Sequence, residues 1–366
     1  MSQKGFEVIG VASEGKELQD VKEEEGIRVI PLEMTRTISP IHDFKSLVAF
    51  YKLCKKEKPL IVHSHTPKAG IVGMLGAKLA GVPIRLHTVA GLPLMEATGL
   101  KRKVLNWVEK LTYSSATKVY PNSVGLYDFI LQEKFTSIDK VKVIAKGSSN
   151  GIDTAFFSQE SVGVERISTL KKELGILEDD FVFIFVGRLV GDKGINELVE
   201  AFTILSKHNT NAKLLLVGAL ETALDPLGVR TLFAIENDEK IISVGFQKDV
   251  RSYFAVADAL VFPSYREGFP NVVMQAGAME LPCIVSNING CNEIIEEGEN
   301  GLIIPVKDYD ATLIAMLKLM REESVYKKLK INSRRMILER YEQKVVWNAL
   351  LDEYTQLIQQ HKDSKK

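Results

Sequence analysis

Phe181-Val-Phe-Ile-Phe-Val-Gly-Arg-Leu-Val-Gly-Asp-Lys-Gly194 runs six apolar or aromatic residues into a turn punctuated by glycine. So short a run, built of Phe, Val and Ile, reads as a buried strand, Phe181–Val186. The period then changes, because apolar side chains recur at helical spacing over Ile195–His208 before a second apolar run, Ala212–Val217. Strand, turn, helix, strand is the repeating unit of a parallel sheet, whose strands need a crossover rather than a hairpin. Runs at 241–244, Ala259–Phe262 and 282–285 continue the series toward the C-terminus. On the N-terminal side of the charged stretch 165–180, similar runs stand at 6–11, 60–63, 84–87, 118–120 and 141–144, with helical stretches between them. The expected fold class is α/β: two doubly wound domains, 1–160 and 161–342, joined near 157–168 and facing across a ligand-binding cleft at the carboxyl ends of both sheets. Residues 343–366 read as a terminal helix and tail, with Val346, Leu350, Tyr354, Leu357 and Ile358 on one side for packing back toward the N-terminal domain.

Composition narrows the class. With 366 residues, 45% of them hydrophobic and 26% charged, the chain has ample core for two domains, which excludes a disordered or disulfide-stapled protein. Lys+Arg and Asp+Glu both total 47, so no global field draws in nucleic acid, and any basic site is local. Cys54, Cys283 and Cys291 have no C-x-x-C spacing and read as buried thiols in a reducing compartment. The start, Met1-Ser-Gln-Lys-Gly-Phe-Glu-Val-Ile, interrupts any apolar segment with Glu7 and Gly10 and carries no secretory pattern, so the expected location is cytoplasmic. No apolar run approaches the roughly 20 residues of a membrane span, so any membrane contact is peripheral.

Two clusters carry the chemistry. In the Gly187–Gly194 turn, Arg188 and Lys193 either aim a planar fork and a point charge at one diphosphate or stand as two surface cations. Directly after the Ala259–Phe262 run, Pro263-Ser-Tyr-Arg-Glu-Gly-Phe-Pro-Asn-Val-Val-Met-Gln-Ala276 reads strand, loop, helix. Gly268 permits close backbone approach, Pro270 suits a first helical turn, and the free N–H groups near Asn271 form an anion site. Glu267 beside that site can accept hydrogen bonds from sugar hydroxyls, or can serve as a capping carboxylate. His63 and His65 flank a strand end without a third metal ligand nearby and are structural or acceptor-side. Asp308-Tyr-Asp310 has D-x-D spacing, but it precedes a helical pattern and is better explained as a cap. Val89-Ala-Gly-Leu-Pro-Leu-Met95 followed by Leu100-Lys-Arg-Lys-Val-Leu-Asn-Trp107 joins an apolar loop to a basic amphipathic helix, which rests on anionic headgroups or is simply solvated.

Taken with His87-Thr-Val-Ala-Gly91, Ser149-Asn-Gly-Ile-Asp153 and Asn289-Gly-Cys-Asn-Glu293, these clusters make nearly the whole chain resemble the family 4 retaining glycosyltransferases. The resemblance implies a GT-B fold of two Rossmann-like domains, a nucleotide-sugar donor, and an acceptor that is a lipid-linked or polysaccharide glycan of the bacterial surface. Carried over by position, Arg188 and Lys193 bind the donor diphosphate, Glu267 the sugar hydroxyls, and Gly268, Phe269 and Pro270 the β-phosphate and sugar through their backbone. Gly187, Asn271 and Gly290 complete the donor side; His87 matches a histidine near the donor sugar; His65, Gly91 and Asn150 stand on the acceptor side. The chemistry then needs no metal and no cofactor.

Two departures follow from the same resemblance. Eight residues after Glu267 the family places a glutamate on the ribose hydroxyls, and this chain has Gln275. The family also opens with a strand, a glycine loop and a helix before the segment matching Lys4-Gly-Phe-Glu-Val-Ile, so the N-terminal domain is expected to lack its first strand and helix. The sequence reads as a retaining UDP-sugar glycosyltransferase; a degenerate module of the same fold that binds nucleotide without turnover is the alternative, and a sugar phosphorylase lacks its pyridoxal-lysine signature.

Overall fold

The computed structural model describes residues 1–35, 39–223 and 225–365. It divides into two compact units, Met1–Ser149 with Trp347–Lys366, and Asn150–Val346. In the first unit, β1 (Ile9–Ala12), α1 (Lys16–Glu25) and β2 (Arg28–Pro31) precede α2 (Pro40–Glu57), β3 (Ile61–Ser64), α3 (Pro67–Ala80), β4 (Ile84–Val89), α4 (Gly99–Ser115), β5 (Lys118–Pro121) and α5 (Val124–Gln132). Every pairing is parallel. β1 and β2 make one two-stranded sheet, and β3-β4-β5 make a separate three-stranded one. Short polar side chains cap two of these helices: for α3, Thr66 Oγ1 accepts from Ala69 N ahead of Pro67, and for α5, Ser123 Oγ accepts from Leu126 N.

The second unit holds a six-stranded parallel sheet in the order β11-β10-β9-β6-β7-β8. Its strands are β6 (Phe181–Val186), β7 (Ala212–Val217), β8 (Ile241–Ser243), β9 (Ala259–Phe262), β10 (Cys283–Ser286) and β11 (Gly301–Ile304). Around them lie α6 (Val164–Glu173), α7 (Ile195–His208), α8 (Val229–Asn237), α9 (Arg251–Ala255), α10 (Asn271–Ala278), α11 (Cys291–Ile294), α12 (Tyr309–Arg321) and α13 (Glu323–Tyr341). Helices on both faces leave the strands almost wholly buried, which is why Phe181–Val186 and Ala259–Phe262 read as unbroken apolar runs. The order reverses at β6. Successive strands add on one side through β7 and β8, and on the other through β9, β10 and β11.

The last helix, α14 (Gln343–Asp363), begins in the second unit and runs into the first. There Leu350, Tyr354, Leu357 and Ile358 pack against Ile84, Leu86, Tyr120 and Ile144. Several expectations differ from what the chain does. The run 141–144 forms no strand: Val141 makes one bridge to Val119, after which the chain turns through Ala145 at φ 51°. β2 and β11 lie outside the expected series, since Arg-Val-Ile-Pro and Gly-Leu-Ile-Ile carry too few apolar residues between breakers. The units divide at Ser149 and Asn150 rather than near 157–168, because Ile152 pairs with Glu342 and its N–H donates to Tyr341 O at 2.7 Å. All three cysteines are buried and free.

Candidate active site

At the carboxyl end of β6 the chain passes through Gly187, whose N–H donates to Val217 O, and projects Arg188 into solvent. Its Nη1 donates to Glu221 Oε2 at 3.0 Å. Glu221 sits on the β7 loop, which Leu189 and Leu220 join to the β6 loop by a parallel bridge. The turn closes at Gly194 in the left-handed region, φ 70°, where a Cβ would come within 2.2 Å of Pro263 O. Only glycine lets this turn lie directly on the loop that leaves β9.

That contact joins the two clusters. Lys193 Nζ donates to Glu267 Oε1, with both side chains more than four-fifths buried, and Ser264 Oγ donates to the same oxygen at 3.1 Å. Arg266 reaches back to Asp192 at 2.6 Å, and Tyr265 N donates to Asp192 O. Asn289 Nδ2 donates to Gly268 O at 2.6 Å, and Gly290, at φ 76°, has room for no side chain against that carbonyl. The Glu267–Pro270 segment is thereby fixed from both sides. Phe269 turns its ring inward against Tyr341, so at that residue the loop offers backbone; Pro270 caps α10, Asn271 is exposed on its first turn, and Gln275 lies half-buried one turn on.

β6 and β9 are neighbours, and they are the two strands at which the order reverses. Open α/β sheets bind ligands outside the carboxyl ends at such a switch point. Here it carries three cations, Arg188, Lys193 and Arg266, each beside a carboxylate, Glu221, Glu267 and Asp192, and the positive end of α10. Such a set can hold a diphosphate beside a polyol.

The first unit's candidates are arranged differently. His87 is inside β4 and 2% exposed; Gly70 of α3 packs so closely on it that a Cβ there would lie 2.5 Å from Cε1. Its Nδ1 lies 2.9 Å from Ser64 Oγ, and burial, helped by His65, pushes its pKa down to about 4. Ala90 and Gly91, not His87, occupy the accessible end of that strand. His65, just past β3, is exposed and stacks on His63 at 4.3 Å. His63 is fixed through both nitrogens, Nδ1 to Tyr354 OH at 2.6 Å and Nε2 to Thr88 Oγ1 at 2.8 Å; burial, then the neighbouring His65 and His87, holds its pKa well below the usual range. Asn150 is exposed at the first residue of the second unit.

Ser264, Asn289, Glu221, Asp192 and Arg266 are residues of this site to which sequence reasoning assigned no role. Ser264 precedes Glu267 by three residues in the same loop, a signal of proximity. Nothing near Glu221 in the sequence points to Arg188, 33 residues earlier. Asp308 does cap its helix, accepting from Ala311 N at 2.8 Å. No helix among the described residues is long and apolar enough to cross a membrane.

Two family models match the chain, a glycosyl transferase 4-like domain over residues 1–147 and glycosyl transferases group 1 over residues 166–336. The capsular polysaccharide biosynthesis glycosyltransferase CapM of Staphylococcus aureus is 34% identical over 360 residues, a match covering 98% of this chain and 92% of that one. The chain belongs to this glycosyltransferase family. The glycosyltransferase is also 33% identical over 292 residues to the UDP-Gal:alpha-D-GlcNAc-diphosphoundecaprenol alpha-1,3-galactosyltransferase of Escherichia coli, covering 78% of this chain and 73% of that one. Its fold matches that of Anabaena Alr3699/HepE, solved in complex with UDP and glucose, with a TM-score of 0.80 at 17% identity over 95% of this chain and 91% of that one. The fold class is GT-B.

Proposed function

We propose that this glycosyltransferase moves a hexose or N-acetylhexosamine from a UDP-sugar to a lipid-linked acceptor in surface-glycan assembly, with retention at the anomeric carbon. The observation that carries the reading is the Lys193–Glu267 contact at the β6/β9 switch point, which sets a phosphate-binding cation beside a sugar-binding carboxylate. The names of the relatives support donor and acceptor class: one serves capsular polysaccharide, and another combines a UDP-sugar with a diphosphoundecaprenol acceptor.

Arg188 and Lys193 bind the donor diphosphate, with the Gly268–Phe269 backbone and the start of α10 on the β-phosphate. Glu267 orients the sugar hydroxyls, Gln275 meets the ribose, and Gly187 and Gly290 keep the walls free of side chains. In the transfer, the acceptor hydroxyl oxygen bonds to the anomeric carbon on the face the diphosphate leaves. The bond from that carbon to the β-phosphate oxygen breaks, and the departing phosphate takes the hydroxyl proton. Charge grows on UDP, where preorganised cations and a helix N-terminus lower the barrier, so no metal is called for. His65, Gly91 and Asn150 serve the acceptor; buried His87 acts through the strand end it supports. On α4, exposed Leu100, Val104 and Trp107 share one face beside Lys101 and Lys103, and that face rests on the inner leaflet of the cytoplasmic membrane.

UDP-sugars are screened first for protection against thermal unfolding, then for transfer to a diphosphate-lipid glycan, with the product anomer assigned by NMR. An α-linked product from an α-linked UDP-sugar, formed equally in EDTA, is expected. An inverted product, or metal-restored activity, overturns the mechanism.

A further inference from the structure

The turn that presents Lys193 has a glycine at each end, Gly191 and Gly194, and resembles a loop whose backbone N–H groups would cradle a phosphate. Its N–H groups are already in use. Leu189 N donates to Ala219 O at 2.8 Å, Gly191 N to Asp225 O at 3.2 Å and Asp192 N to Asp225 Oδ2 at 2.5 Å. Lys193 N donates to Val190 O at 3.2 Å, and Gly194 N to Gly191 O at 2.9 Å. An anion at this turn is therefore left to the side chains of Arg188 and Lys193, whose effect depends on where the backbone holds them.

Two of those five N–H groups end on one residue. Asp225 stands on the loop between β7 and α8, 33 residues after Asp192, and brings both its backbone oxygen and its carboxylate to the turn. The fit is close: a Cβ on Gly191 would lie 2.8 Å from Asp225 Oδ1 and 3.2 Å from Cγ, so the absence of a side chain at Gly191 makes room for the carboxylate. Pro226 follows, which disfavours helical backbone at Asp225 and keeps the loop extended there. The same loop is fastened before and after this point. Glu221 Oε2 accepts from Arg188 at 3.0 Å, and Gly228 N donates to Asn196 Oδ1, on the first turn of α7, at 2.9 Å. From the other side Arg266 pairs with Asp192 and Tyr265 N donates to Asp192 O. The residue preceding Lys193 is thus held through its N–H by the β7 loop, and through its carbonyl and side chain by the β9 loop.

We propose that Asp225 is a positioning residue for the donor diphosphate: by accepting from the Asp192 N–H it fixes the turn from which Lys193 reaches the leaving phosphate. The proposal rests on the reading of Lys193 as a diphosphate-binding cation and deepens it. All of the contacts it uses lie within the second unit.

The test uses the full chain, with UDP and uridine as probes in calorimetric titration. Asp225→Ala should weaken UDP binding about tenfold and leave uridine binding unchanged, since uridine lacks the diphosphate that Lys193 meets. Asp225→Asn keeps an acceptor oxygen for the Asp192 N–H and removes only the charge, so it should bind UDP at least as tightly as the unaltered chain. Gly191→Ala, which pushes the carboxylate off the turn, should reproduce the loss seen in Asp225→Ala. In a Lys193→Ala background, Asp225→Ala should change the UDP Kd by less than about twofold, because a residue that acts through Lys193 has nothing left to position. Amide hydrogen exchange over residues 189–194, measured without nucleotide, should speed up in Asp225→Ala and not in Asp225→Asn. Equal losses for UDP and uridine, full additivity with Lys193→Ala, or an Asn variant as weak as the Ala variant overturns the positioning role. Unaltered exchange in Asp225→Ala overturns the clasp itself. Faster exchange in that variant, when the unaltered chain binds no UDP, leaves the clasp standing and sinks the donor reading instead.

Discussion

Arg188 and Lys193 both stand beside carboxylates but in different surroundings: the Lys193–Glu267 pair is largely shielded from water, whereas Arg188 and Glu221 meet in solvent. Shielding raises the weight of the first pair and screens the second. Arg188→Ala and Lys193→Ala should each lower kcat by about two to three orders of magnitude, as loss of one preorganised donor to a developing oxyanion does, with little change in Tm for Arg188→Ala. Steady-state rates near wild type in either variant would remove that residue from the diphosphate site. Gln275→Glu should tighten UDP binding several-fold, because an ionic hydrogen bond of about 1.5–3 kcal/mol replaces a neutral one of about 0.5–1.5 kcal/mol. Calorimetric titration giving an unchanged Kd would place Gln275 away from the ribose. At this scale the sequence was informative about Arg188, Lys193 and Glu267, because glycine and proline beside them mark the turns that hold them. It was uninformative about His87, whose place within β4 rather than at its tip depends on where the strand stops.

Among the elements, α4 separates two roles that look alike in the sequence. Lys101 and Lys103 are exposed, but Arg102, between them, turns inward: Nη1 donates to Leu94 O at 2.6 Å, Nη2 pairs with Glu133 at 3.1 Å, and the guanidinium lies 5.5 Å from the Phe129 ring centre. The expected run of three basic residues is thus two surface cations and one strut between α4, the loop before it and α5. Arg102→Ala should cost about 1–3 kcal/mol in denaturant unfolding, while Lys101→Ala and Lys103→Ala stay within about 0.5 kcal/mol. Equal effects from all three would contradict the assignment. Helical periodicity located α4, but three consecutive residues point in three directions around a helix, and only packing says which side is covered.

For the molecule as a whole, the buried histidines make stability depend on pH. His63 and His87 remain neutral in the folded protein, whereas in the unfolded chain each takes a proton near 6.5. Below that pH the unfolded state binds more protons, so their contribution is fully present above about 6.5 and is lost progressively as pH falls below it, down to about 4 for His87, at up to roughly 1.4 kcal/mol per pH unit for each histidine. Unfolding free energies at about pH 7 and about pH 5 should show this loss, and His63→Gln should shallow the slope. A pH-independent stability across that range would mean the histidines are hydrated. The amino-acid sequence by itself determined the α/β class and most strands of the second unit, because strands buried on both faces must be apolar throughout and the turns between them need glycine. It also brought Arg188, Lys193 and the Glu267 loop into view, since each follows directly on such a strand. Tertiary structure alone decided that β6 and β9 are neighbours, that Lys193 meets Glu267, and that Glu221 meets Arg188. Those contacts join residues 33 or more positions apart, and local propensity carries no record of which strands will lie side by side once the core closes.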